Sequence, residues 1–340
     1  MNNSRLADKP CSAGTRWDTQ KFLAEKPAEG NASGFSSDLA EQFRHGGWAP
    51  FRKRVDDALV ITPGISPRRL SAFRSCGCDA FVEFRTVGFE NKSTDYRIRS
   101  TKCHDRFCVP CASERSRRIR DSLLRHMNGR ENLSLITLTL KASTDPLTTI
   151  LDRITRCFRL LRNKPLWKKQ VQGGCSIIET KTGQGSGEWH VHFHVVAEAK
   201  FLNQRVLSDL WLNITGDSSI VDIRRVGAHA GAVQYITKYI TKAADHSIVM
   251  SPKHLGEAIT AFNGRRLVST FGTWRGLELM EKVDDEQLSQ SATEWQGLGR
   301  LDDFLRDAAS GDPRSVAIVR TLRRGPVRPP PGLHNVSQIP

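Results

Sequence analysis

CSIIETK, residues 175–181, and WHVHFHVV, residues 189–196, are strand-like runs joined by the turn-rich TGQGSGE. Strand formers on both sides of a Gly- and Ser-rich junction predict a β-hairpin. His190, His192 and His194 recur at period two, so in a strand their side chains share one face. Pairing residue 181 with 190 leaves a symmetric loop over 182–189 and sets Glu179 opposite His192. Opposed residues of an antiparallel pair point the same way, with Cβ atoms about 5 Å apart. Glu179, His192 and His194 then form two imidazoles and a carboxylate, a facial set for a divalent cation with positions left open for a substrate. Such a set suits Mn²⁺, and less naturally Mg²⁺, although Mg²⁺ is the abundant cellular ion. A metallohydrolase of the H-x-H-x-D-H kind is disfavoured, because Val195 and Val196 follow His194.

Upstream of the hairpin, LSLITLTL at 133–140 is apolar and β-branched and reads as a strand. A helix is expected over 147–162, with Ile150, Leu151, Ile154, Phe158 and Leu161 on one face. Arg153, Arg156, Arg159 and Arg162 lie largely off that stripe. Downstream, AGAVQYITKYITKAAD at 230–245 is amphipathic at helical spacing. It places Tyr235, Lys238, Tyr239 and Lys242 on one face, beside an apolar face of Val233, Ile236, Ile240 and Ala243. These are two of only three tyrosines in the chain, the other being Tyr96. A phenol is a poor nucleophile at its ordinary pKa of about 10, but neighbouring cations favour the phenolate. Lysines one turn away supply that charge and can hold a phosphate.

Five of the eight cysteines fall between residues 76 and 111: Cys76, Cys78, Cys103, Cys108 and Cys111. Their C-x-C and C-x2-C pairs have the spacing of tetrahedral zinc ligands, and a reducing compartment argues against disulfides. One or both of Cys76 and Cys78 join Cys108 and Cys111 in the preferred set, with Cys103 as the competing fourth ligand. The segment ASERSRRIRDSLLRHM at 112–127 follows as a helix, with Ile119, Leu123 and Met127 at four-residue spacing. Arg115, Arg117, Arg118, Arg120 and Arg125 crowd its remaining surface, and the first four are expected to contact DNA phosphates. No base-reading code is visible.

The 340 residues carry a formal net charge of +15, unevenly spread. Residues 51–130 hold 18 basic and 9 acidic side chains, and residues 131–277 hold 19 and 11. Residues 1–50 are balanced, residues 278–312 are acidic, and the last 28 residues carry five arginines and no acid. A basic body of this kind suits a polyanionic partner. No stretch approaches the roughly 20 apolar residues of a membrane span, and no secretory signal opens the chain, so a cytoplasmic protein with no membrane partner is expected.

KCHDRFCVPC, LITLTL, WHVHFHVV with its upstream Glu179, and YITKYITK occur in this order over roughly residues 70–275. Together they resemble the plasmid-type rolling-circle replication initiators, a branch of the histidine–hydrophobic–histidine (HUH) endonucleases. RRLVSTFGTW at 265–274 is similar to a closing segment of such initiators. The resemblance implies an α+β fold, an antiparallel sheet with flanking helices, supplemented by a small Cys-rich zinc module. It implies metal ligation by His192 and His194, with Tyr239 as principal nucleophile. Some relatives have a water-activating glutamate where this chain has Tyr235, while two tyrosines resemble the phage-type arrangement. The implied activity is origin-specific nicking of single-stranded or extruded DNA through a 5′-phosphotyrosine, freeing a 3′-hydroxyl primer. A host helicase and DNA polymerase are the implied partners. Lys238 or Lys242 would steady the phosphate or phenolate, and His190 would orient a ligand or touch DNA. On this reading the chain divides into a partly disordered tail (1–65), a Cys-rich basic zinc and DNA-binding module (66–130), a nicking domain (131–277) and an acidic, then basic and Pro-rich, C-terminal segment (278–340). The alternatives are a relaxase or single-strand transposase with the same site, or a zinc-containing DNA-binding regulator without catalysis.

Overall fold

The hairpin forms and lies at the centre of the larger of two sheets. The computed structural model describes residues 39–88, 93–183, 186–226, 246–279 and 293–324. In chain order the elements are α1 (Leu39–His45), α2 (Ala49–Ile61), α3 (Pro67–Arg74), β1 (Phe81–Val87), β2 (Ser93–Arg99), α4 (Val109–Met127), β3 (Leu133–Thr139), α5 (Leu147–Asn163), α6 (Pro165–Gln170), β4 (Val171–Thr182), β5 (Trp189–Ala199), α7 (Gln204–Thr215), β6 (Val221–Val226), α8 (His246–Met250), α9 (Pro252–Ala261), β7 (Val268–Gly272), β8 (Gln296–Arg300), α10 (Leu301–Ala309) and α11 (Pro313–Arg324). The expected helices at 112–127 and 147–162 correspond to α4 and α5, and the expected strands to β3, β4 and β5. The amphipathic segment 230–245 lies outside the described residues.

The larger sheet has five antiparallel strands in the order β6-β3-β5-β4-β7. Its two faces follow directly from the alternation of β5. Val191, Phe193, Val195 and Ala197 point into a core shared with Ile150, Leu151, Ile154, Phe158 and Leu161 of α5. Fully burying each such Leu, Ile or Phe is worth about 1.5–3 kcal/mol over leaving it exposed. α5 stops at Asn163 because Pro165 holds Lys164 in extended backbone, at φ −73 and ψ 145. On the other face, Val196 meets Leu133, Leu135, Cys175 and Ile177 under Ile119, Leu123 and Met127 of α4. The arginine-rich helix therefore covers one end of the face that carries the histidines.

A second, three-stranded antiparallel sheet has the order β2-β1-β8. Here the chain closes on itself. β8, α10 and α11, inside the stretch read as a C-terminal segment, bury Leu301, Leu305, Ile318 and Val319 against Ala80 and Val82. α2, inside the stretch read as an N-terminal tail, puts Val55 and Leu59 into the main core. Its apolar stripe is short and interrupted by charge, which hides it in a one-dimensional reading. The architecture is α+β, with antiparallel sheets flanked by helices. Among the described residues, no helix is long and apolar enough to cross a membrane.

Candidate functional site

The β4–β5 register is the expected one: Glu179 pairs with His192 and Lys181 with His190. Thr182 and Trp189 also pair, so the ladder runs one step further than the symmetric loop required. β3 then supplies a feature that the hairpin alone did not reveal. Thr137 pairs with His194 and Thr139 with His192 across the β3–β5 ladder. The Thr137 hydroxyl lies 3.2 Å from His194 Nδ1, and the Thr139 hydroxyl 3.1 Å from His192 Nδ1. A hydroxyl at Nδ1, donating or accepting, holds the orientation of each ring. His194 Nε2 sits 2.9 Å from Glu179 Oε2, and Glu179 Oε1 is 3.3 Å from Lys181 Nζ. Glu179 and His194 are both buried, whereas His192 and His190 are half-buried.

Burial pushes His192 down to about 4, outweighing the nearby Glu179 carboxylate, while His194, Lys181 and His190 push the same way as burial. The ring is therefore neutral near pH 7, the form in which imidazole binds a metal. Two imidazoles beside a buried carboxylate are donor types that a divalent cation takes, but their ligand atoms do not all lie within 4.8 Å of one another. The signal for Thr137 and Thr139 was present in LITLTL, two hydroxyls at period two within a strand, but only the strand order gave it meaning.

The cysteines resolve differently. The Sγ atoms of Cys76, Cys103, Cys108 and Cys111 all lie within 4.8 Å of one another, the one such metal-holding group among the described residues. Cys76 Sγ is 3.5 Å from Cys111 Sγ and 3.8 Å from Cys108 Sγ, and Cys103 Sγ is 3.7 Å from Cys111 Sγ. Tetrahedral Zn–S bonds of about 2.3 Å require S···S edges of about 3.8 Å. The cluster thus has the dimensions of a four-sulfur zinc site, and all four cysteines are free thiols.

Cys103 completes this set and Cys78 does not join it. Between Cys76 and Cys78, Gly77 has φ +98, and a Cβ there would meet Arg44 Cδ at 2.9 Å. The tight turn sends Cys78 elsewhere, and its carbonyl accepts from Thr101 N–H at 3.2 Å. Cys108 is the N-cap residue of α4 and Cys111 lies in its first turn, where the helix N-terminus favours thiolate at Cys111. Hydrogen bonds with Cys103 and Cys111 push the Cys108 thiol up. Hydrogen bonds from Cys103, then Cys108 and Cys111, hold the Cys76 thiol far below its ordinary range. Cys103 and Cys108 likewise bring Cys111 down to about 6. Arg44 donates to Cys111 Sγ at 3.6 Å, and His45 Nε2 lies 2.8 Å from the Cys76 carbonyl oxygen.

The four α4 arginines expected to contact DNA are half-buried, and three of them are engaged internally. Arg115 donates to the His104 carbonyl at 2.7 Å, Arg118 pairs with Glu114 at 2.9 Å, and Arg120 pairs with Asp121 at 2.8 Å. Arg117 lines a cavity of about 250 Å³ between α4 and the three-stranded sheet. Tyr235, Lys238, Tyr239 and Lys242 lie outside the described residues.

A family model described as replication protein matches residues 97–308, more than half of the chain. The chain belongs to this replication protein family. The match agrees with the resemblance to plasmid rolling-circle initiators. It spans the whole five-stranded sheet, α4 and three of the clustered cysteines, while Cys76 lies before it. No curated protein and no solved structure matches the chain.

Proposed function

We propose that this replication protein initiates rolling-circle plasmid replication by nicking one DNA strand at its origin. The observation that carries the reading is the row formed by Thr139, His192 and Glu179 across three adjacent strands, with His194 bonded to Glu179 beside it. His192, His194 and Glu179 would hold Mg²⁺ or Mn²⁺. When bound, that cation supplies Lewis-acid polarisation of a non-bridging oxygen of the scissile phosphate. Tyr239, as phenolate, attacks phosphorus in line. A Tyr–O–P bond forms and the P–O3′ bond breaks. The 3′-oxygen takes up a proton, replacing the one the phenol released. The 5′ end stays on Tyr239, and the free 3′-hydroxyl primes a host polymerase while a host helicase opens the duplex. Lys238 and Lys242 steady the phosphate or phenolate, and Tyr235 is available for a second transfer. Cys76, Cys103, Cys108 and Cys111 would hold one structural Zn²⁺ that fixes α3 and the start of α4.

The test is a supercoiled plasmid carrying the cognate origin, incubated with the protein and Mn²⁺ or Mg²⁺. An origin-specific nick and a covalent protein–DNA adduct are expected. Tyr239→Phe should lose the adduct while keeping origin binding. An adduct that persists through Tyr235 would overturn the single-nucleophile assignment, and absence of any nick with the unaltered protein would overturn the reading as a whole.

A further inference from the structure

We propose that the groove between α5 and the edge strand β7 is a second DNA contact, a sequence-independent track for the phosphate backbone on the face of the sheet away from the histidines. The groove has a volume of about 360 Å³. Arg156, Arg159 and Arg162 of α5 line it together with Arg266, which precedes β7. Helical geometry explains this grouping. Each three-residue step sets a side chain back by about 60° around the helix axis, so residues nine apart face opposite ways. Arg153 accordingly turns away, to Asp217 at 2.6 Å and the Thr215 carbonyl at 2.9 Å. Its three successors swing progressively toward the groove.

The charge there is uncompensated. Asp152 is the sole acid among the lining residues, and Arg265 already holds it at 2.7 Å. Arg156, Arg159, Arg162 and Arg266 have no ion-pair partner among the described residues. Arg162 lies 5.2 Å from the Phe158 ring and 5.4 Å from the Phe271 ring, and its buried Nε lacks a hydrogen-bond partner. Burial, then Arg275 and Arg159, lower the pKa of Arg162, as expected where cations crowd without an anion. A guanidinium held against rings and short of acceptors is preorganised for phosphate oxygens.

The aromatic floor settles which part of a nucleic acid would bind. Phe158, Phe193 and Phe271 are each about 5% exposed or less, and Phe158 meets Phe271 at 78°. No open ring is offered for base stacking, so the groove reads charge and not sequence. Ile178 lines this groove while its neighbour Glu179 faces the histidine side, so a single strand separates the two. A DNA molecule engaged at both would pass around the β7 edge. The choice of DNA among polyanions rests on membership of the replication protein family, not on the nicking reading.

The test is binding of the full-length protein, without added Mg²⁺ or Mn²⁺, to labelled oligonucleotides of scrambled sequence. One probe is a duplex and the other a single strand of equal length. Arg156, Arg159 and Arg266 are exposed, so Arg156→Gln/Arg159→Gln/Arg266→Gln leaves the core intact. For at least one probe we expect affinity to fall about tenfold or more, with a salt dependence of log K shallower by about 2 to 3. The probe that loses affinity identifies the form of DNA that is bound. The matching triple change to Lys should restore most of the slope. A control triple, Arg205→Gln/Arg314→Gln/Arg320→Gln, should have little effect. Unchanged affinity and slope for both probes, or an equal loss in the control, would overturn the proposal. Because no cleavage is read, failure of the nicking reading leaves this result untouched, and the reverse holds as well.

Discussion

The four-cysteine cluster and the histidine–carboxylate face proposed to hold a cation are built in opposite ways. The four cysteines come from three places in the chain: the end of α3, the loop after β2 and the first turn of α4. Cys76, Cys108 and Cys111 are packed in the main core beside Val55, Phe73 and Phe107. Glu179, His192 and His194 come from a single hairpin, and His192 is half-buried. Four sulfurs complete a tetrahedral ion and leave no position for a substrate, whereas three donors leave positions open. The difference teaches that placement, more than ligand type, separates a structural role from a chemical one. Damage to the first set should therefore be felt by the whole fold, and damage to the second by the reaction.

The largest effect should follow from attacking the cysteine set. Cys108→Ser should lose the metal and the cooperative unfolding transition, because structural zinc contributes on the order of 10 kcal/mol to folding. Cys78→Ser should retain about one zinc per chain by elemental analysis. Equal loss of zinc in both variants would erase the distinction between Cys78 and the four clustered thiols.

His192→Ala should come next in size. Nicking should fall below detection, while the unfolding free energy falls by no more than about 1–2 kcal/mol, as for a half-buried side chain. A collapse of the fold would make the histidine face structural, like the cysteine set.

The pH response sharpens the same contrast. His192 titrates at about 4 when folded against an ordinary 6.5, so the unfolded chain binds its proton first as the pH drops. Stability of the protein free of divalent cation should thus be complete above about pH 6.5 and decline toward pH 4, by up to about 3 kcal/mol. His192→Gln should flatten that decline in denaturation curves collected across the interval.

The smallest effect is expected at the supporting hydroxyls. Thr137→Val and Thr139→Val should each weaken divalent-metal affinity by about 10–100-fold, measured by titration, with little change in stability. An unaltered affinity would mean that the hydroxyls do not orient the rings.

The histidine site was largely legible in the sequence because its geometry is local. Period-two spacing fixes the shared face of His192 and His194, and a near-symmetric hairpin fixes Glu179 against His192. Thr137 and Thr139 stayed invisible because β3 reaches β5 only after α5, α6 and β4 have intervened, and no spacing rule encodes that pairing. Helix periodicity placed the apolar stripes of α4 and α5 correctly. It did not separate the fates of their arginines. On α4, Glu114, Asp121 and the His104 carbonyl engage Arg118, Arg120 and Arg115, while on α5 three arginines face a groove whose one acid is taken.

The sequence by itself therefore determined β3, β4, β5, α4 and α5, the pairing of Glu179 with His192, and the excess of positive charge. Each of these depends on contacts a few residues apart or on composition. The tertiary structure decided which of five cysteines form one cluster, which threonines hold the imidazoles, and which arginines remain uncompensated. Each of those depends on distances between segments remote in the chain, which are set only when the sheet has been assembled and its faces covered.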